Sequence, residues 1–257
     1  MKKVFSAVCL ILCLLGTQAS YAEKLRFGVE GAYPPFSLID TQGELQGFDI
    51  DIAKALCHAI NVECVLVQND FDGLIPALLA KKFDAIIASV SITEERKKSV
   101  DFTKKYYNTP ARFVRKKDSG IEATAEGIKG KVVGVQRATT HDKYLTDNYD
   151  TTIDIKRYVT LDDAYLDLQA GRIDLLLADS IPLADGFLNK PDGKAYEFTG
   201  EPITDPKWFG EGVGIAVRKG DNELREKLNQ AIAKIRADGT YKTIQDKYFQ
   251  FDVYGDE

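Results

Sequence analysis

LLAKKFDAIIAS at 78–89 and DLQAGRIDLLLAD at 167–179 share one plan. Each closes a helix, passes a basic pair or a Gly-Arg, and sets an Asp. Each then runs through an apolar stretch to a small or acidic residue. Helical periodicity leading through turn residues into a short apolar run is the pattern of a βαβ unit. Two copies in one chain point to two lobes of similar build.

Reading outward from these stretches extends both units. Before the first, KLRFGVE (24–30) reads as a strand, GAYPPF (31–36) as a turn, 49–60 as a helix and ECVLVQ (63–68) as a strand. FDGLIPALLA (71–80) reads as a helix, and FDAIIAS (83–89) as the next strand. Around the second, strands are expected at 131–137, 152–158 and 173–180, with helices at 140–148 and 161–170. Strands alternating with helices predict α/β lobes, each with a mostly parallel sheet. Downstream, 211–220 reads as strand and turn. The stretch 221–239 is a helix with Leu224, Leu228, Ile232 and Ile235 on one face, and 240–249 is another. These elements lack βαβ order and read as a return to cover the first lobe. Crossings near 108–111 and 204–210 would form a hinge able to close the lobes together.

The first 22 residues, MKKVFSAVCLILCLLGTQASYA, have a basic start, an apolar stretch and a small-x-small ending at Ser20 and Ala22. That is the pattern of a secretory signal peptide cut after Ala22. The apolar run is too short for a membrane span, which needs roughly 20 residues. Loss of Lys2 and Lys3 takes the formal net charge from −5 to −7. No basic stripe exists, so nucleic acid is not an expected partner. Cys57 and Cys64 would remain, joining a helix end to the start of the next strand, and a disulfide is expected in an oxidising compartment. The competing readings are a reduced pair or half a metal site, but only two histidines exist, His58 and His141, and no zinc spacing is present.

Ligands of parallel α/β sheets bind beyond the carboxyl ends of the strands. That rule selects Glu30 with Tyr33, Phe71, Ser89 and Ser91 in the first lobe. In the second it selects Gln136 to Thr140, and Asp179. Thr93 is a suitable helix cap, which puts Arg96 in the first turn, where a cation opposes the helix dipole. Arg96 is therefore a candidate anion clamp. RATTH (137–141) offers hydroxyls and backbone N–H groups at another helix start. Glu30 and Asp179, acids at strand tips in opposite lobes, would seek a cation. The plain alternatives are ordinary loop acids, a solvated arginine and core packing for Phe71.

The stretches GELQGFDIDIAKALC, DFDGLIPALLAKKFDAIIASVSITEERKKSVDFTKKYY and RADGTYKTIQDKYFQFDVYG resemble the substrate-binding proteins of polar amino-acid ABC importers. The group most similar comprises the lysine/arginine/ornithine-, histidine- and arginine-binding proteins. The resemblance implies the two-lobed periplasmic binding fold of type II, with lobe one at 23–110 and 205–257 and lobe two at 111–204. It implies a monomer in the periplasm, without cofactor or metal, that hands a basic amino acid to a membrane permease. Arg96 would hold the ligand α-carboxylate, assisted by backbone groups at Ser91 and Thr140. Asp179, with the Ser89 region, would take the α-ammonium. Tyr33 and Phe71 would sandwich the side chain, and Glu30 would meet its distal cation. One cation against two acids suits a ligand of net charge +1.

The chain departs from that group at four positions. Ala88 replaces a serine, Gln136 replaces an apolar leucine, and Arg137 and His141 replace a glutamine pair. Gln136 could bond a guanidinium, which puts arginine first, ahead of lysine, ornithine and histidine. Arg137 would repel a basic ligand if it pointed inward. Two rivals share the fold. One is an exported dehydratase acting on cyclic precursors of aromatic amino acids, with Glu30 or His141 as acid or base. The other is a sensor or host-contact protein.

Overall fold

The computed structural model describes residues 23–255, so the expected signal peptide at 1–22 lies outside the described residues. In chain order, the first part contains β1 (Lys24–Val29), β2 (Ala32–Tyr33), β3 (Ser37–Ile39), β4 (Leu45–Gln46), α1 (Phe48–Ala59) and β5 (Glu63–Gln68). Then come α2 (Phe71–Leu79), β6 (Ala85–Ile86), α3 (Glu94–Lys97) and β7 (Val100–Tyr107). The middle holds β8 (Ala111–Lys116), β9 (Val132–Gln136), α4 (Thr140–Tyr149), β10 (Asp154–Tyr158), α5 (Leu161–Gln169), β11 (Leu175–Asp179), α6 (Ser180–Leu183) and β12 (Tyr196–Ile203). The chain closes with α7 (Pro206–Phe209), β13 (Val213–Arg218), α8 (Asn222–Ala237) and α9 (Thr240–Tyr248).

Two five-stranded sheets follow one plan, β5-β1-β6-β13-β7 and β10-β9-β11-β8-β12. In each, the first three strands are parallel. The fourth runs antiparallel to both neighbours, so the fifth again points with the first three. The reversed strands, β8 and β13, are those entered directly after the chain passes from one sheet to the other, at 108–110 and 204–212. A strand that ends at the cleft can only be followed, across the cleft, by one that starts there. At the second passage Gly210 has φ +76°, and a Cβ there would overlap the Ile92 carbonyl oxygen, so only glycine lets the chain pass so close.

Most expected elements are present within a few residues. Three differences matter. The turn expected at 31–36 carries β2, part of a separate three-stranded sheet with β3 and β4. The strand expected at 83–89 is reduced to Ala85–Ile86, because Ser89 turns into the left-handed region at φ 55°. Strands β7, β8 and β12 have no counterpart among the elements expected from the sequence. Cys57 and Cys64 are disulfide-bonded with Cα atoms 5.5 Å apart, tying the end of α1 to β5. A loop this short contributes about 2–3 kcal/mol. Behind the first sheet's cleft edge, Phe36 stacks on Tyr107 at 4.4 Å and Phe48 meets Phe249 edge-on at 5.2 Å. These buried rings anchor the turn that presents Tyr33.

Candidate functional site

All nine residues selected as ligand-facing from the sequence line one narrow cavity between the sheets, together with Thr139 and His141. The β1 tip delivers Glu30, and the β6 tip delivers Ser89 and Ser91. Thr93 caps α3 by accepting the Arg96 backbone N–H at 3.2 Å, which fixes where the arginine side chain leaves the helix. From the other sheet, β9 ends at Gln136, Thr139 caps α4 ahead of Thr140, and β11 ends at Asp179.

Arg96 is half-buried. Its Nη1 donates to the Ser91 carbonyl at 3.1 Å and its Nη2 reaches the Ala138 carbonyl at 3.4 Å, and its guanidinium lies 5.6 Å from the centroid of the Phe71 ring. Among the described residues no carboxylate forms an ion pair with it. Burial pulls it down to about 10, partly offset by the charge of Asp179, so it stays cationic at neutral pH. Two carbonyls orient the guanidinium without neutralising it.

Glu30 is buried at 4% exposure. Its Oε1 accepts the Gln136 amide at 2.5 Å across the cleft. Burial pushes its carboxyl up to about 7, against the lowering effect of the Gln136 bond, and the charges of Asp70, Asp49 and Asp162 add to the rise. Gln136 also donates to the Val159 carbonyl at 3.0 Å. Both amide hydrogens are thus committed, and its Oε1 remains an acceptor. Asp179 takes the Tyr33 hydroxyl on Oδ2 at 2.6 Å. Burial raises Tyr33 well above its ordinary range, so the phenol stays a donor.

The four departures fall into place differently. Arg137 turns outward and pairs with Asp72 of α2 at 2.8 Å across the cleft, so the inward repulsion does not arise. Ala88 is buried in an apolar cluster with Leu74 and Phe83 and does not line the cavity. Gln136 and His141 do line it.

Sequence reasoning passed over Asp49. It is fully buried and accepts from Ser89 N at 2.9 Å, Ser89 Oγ at 3.3 Å and the Tyr106 hydroxyl at 2.8 Å. Burial pushes it up to about 7, opposed by those donors. Asp49 therefore holds Ser89 in its left-handed conformation at the cavity wall. One signal was available: Asp49 shares a helical face with Ile52, Ala53 and Leu56, the face that must be buried.

Residues 25–251 match the model of the bacterial extracellular solute-binding proteins, family 3. The chain belongs to this family. It is 52% identical over 257 residues to the L-arginine-binding protein of Pseudomonas aeruginosa, covering 99% of both chains. It is 46% identical over 259 residues to the histidine-binding periplasmic protein of Escherichia coli K12, covering 99% of this chain and 100% of that one. An arginine-specific periplasmic binding protein of Salmonella typhimurium superposes with TM-score 0.81 at 36% identity, over 89% of this chain and all of the other. The family is one of extracellular solute-binding proteins, and the histidine-binding relative is a periplasmic protein.

Proposed function

We propose that this protein, cut after Ala22 and exported to the periplasm, captures a basic L-amino acid between closing lobes and delivers it to the membrane permease of an ABC importer. Lobe one comprises 23–110 and 205–257, and lobe two 111–204; the protein acts as a monomer. One observation carries the reading: an arginine with no ion-pair partner among the described residues and two carboxylates from opposite sheets face a single narrow cavity. Arg96 holds the α-carboxylate by bidentate pairing. Asp179 takes the α-ammonium with help from the Ser89 region, and Ser91 and Thr140 offer further contacts to the α-carbon groups. Tyr33 and Phe71 flank the side chain, whose distal cation meets Glu30.

The chemistry favours arginine first, then lysine, ornithine and histidine. A guanidinium has five donors in a fixed fork, enough for the Glu30 carboxylate and the free Gln136 oxygen together. The distal cation also keeps Glu30 ionised, which burial alone opposes. The L-arginine-binding relative points the same way. Calorimetric titration of ligand-stripped protein with the twenty amino acids, ornithine and citrulline tests the proposal. Arginine is expected to bind tighter than about 10 μM, near −7 kcal/mol. If no cationic amino acid reaches that affinity, the basic-ligand reading is wrong. Turnover of a cyclic substrate in the same assay would point instead to an enzyme using Glu30.

A further inference from the structure

Assigning the α-ammonium to Asp179 leaves one buried polar group in the same cavity without a task. His141, near the start of α4, is 4% exposed. Its ring is backed by Phe209 of α7, with centroids 5.4 Å apart. Its Nε2 has no hydrogen-bond partner, although Asp179 Oδ1 is 3.5 Å away. The nitrogen is thus near the carboxylate but not aligned on it. A buried imidazole nitrogen without a partner is costly, so a ligand donor that reached it would be favoured there.

The two oxygens of Asp179 are not equivalent. Oδ2 is taken by the Tyr33 hydroxyl at 2.6 Å. Oδ1 is the oxygen beside His141. A donor arriving from the cavity at Oδ1 therefore comes within reach of Nε2 as well. An α-ammonium carries three N–H bonds, so it can give one to Oδ1 and another to Nε2. We infer that His141 is a second acceptor for the α-ammonium of the ligand, with the ring proton on Nδ1 and the Nε2 lone pair turned to the cavity. This rests on the amino-acid-binding reading above. His141 then reads the group every amino acid shares, while Glu30 and Gln136 read the side chain.

The test titrates the mature wild type, His141→Leu and His141→Gln with arginine and with 5-guanidinopentanoate, which is arginine without its amino group. Weak binding of the analogue is measured by competition. His141→Leu is expected to weaken arginine about tenfold or more, the scale of one hydrogen bond to a charged group. The analogue should stay within about twofold, because it presents nothing to Nε2. His141→Gln, which can offer an amide oxygen, should recover most of the loss. Equal losses for both ligands, or the same affinity in the Leu and Gln variants, would overturn the assignment and leave His141 a packing residue. Failure of the wild type to bind any amino acid would instead sink the underlying reading.

Discussion

The two sheets share a strand order, so each cleft-facing tip in one has a counterpart in the other. β1 leads to Glu30, and its counterpart β9 ends at Gln136; acid and amide meet across the cleft at 2.5 Å. β6 leads to Ser89, and its counterpart β11 ends at Asp179. The acid therefore stands at one tip in the first lobe and at a different tip in the second. A strictly repeated sequence would place like groups opposite one another, and facing carboxylates would force one to hold a proton. In the proposed function, offsetting them would let two acids address two ends of one guest. Their surroundings differ as well: Glu30 is held by an amide and pushed up to about 7, while Asp179 is held by a phenol that stays a donor. A common backbone plan supplies the geometry, and unequal residues at its tips supply the chemistry.

The severest challenge to that division is Arg96→Ala. Removing the cation proposed to hold the α-carboxylate should cost about a thousandfold in affinity for cationic and neutral ligands alike, the scale of a lost buried charge partner. Retained binding by calorimetry would show that the carboxylate is held elsewhere. Next comes Glu30→Gln, expected to weaken arginine about thirtyfold and neutral amino acids by no more than about threefold. A uniform loss across both classes would mean that the β1 tip does not read the side chain.

Acidity separates the two tips without any mutation. Glu30 ionises only near 7, and a cationic guest prefers it ionised. Arginine affinity should therefore fall about tenfold between pH 8 and pH 6, and Glu30→Gln should flatten that part of the profile. The unliganded fold responds in the opposite sense. With Glu30 and Asp49 both raised, the unfolded chain ionises first, so the contribution of these two groups to stability is full below their ordinary range and is lost as pH rises to about 7. A thermal-shift series across pH 5–8 without ligand would check the sign.

The smallest effect belongs to the Arg137–Asp72 pair, which bridges the lobes at the cleft rim and is partly exposed. Arg137→Gln should weaken arginine by about threefold, mainly through faster dissociation, and the difference should vanish in high salt. A stopped-flow dissociation rate unchanged at low salt would show that the pair does not hold the closed form.

Legibility followed the strength of local patterns. FDIDIAKALCHAI and ECVLVQ gave α1 and β5 nearly to the residue, because apolar spacing, turn residues and burial agree there. Strands β7, β8 and β12 are not legible locally because VDFTKKYY, ARFVRK and YEFTGEPI mix charges, Gly or Pro into runs buried only in part. Each flanks a passage between the sheets, and its pairing is set by strands distant in the chain. The strand-tip rule found the cavity's principal residues, since topology alone fixes which end of a parallel sheet opens on the cleft. It could not say which way Arg137 turns, that Ala88 faces apolar packing, or that Asp49 reaches under Ser89.

The sequence by itself determined the alternation of strands and helices, the doubled unit and the side-chain types at the strand tips, because periodicity and turn chemistry act over a few residues. Only the tertiary structure decided that Gln136 holds Glu30, that Tyr33 takes one oxygen of Asp179, and that Arg137 spends its charge on Asp72. Those partners are far apart in the chain. Their bonds exist only where two separately folded sheets meet, and no local pattern encodes a distance between them.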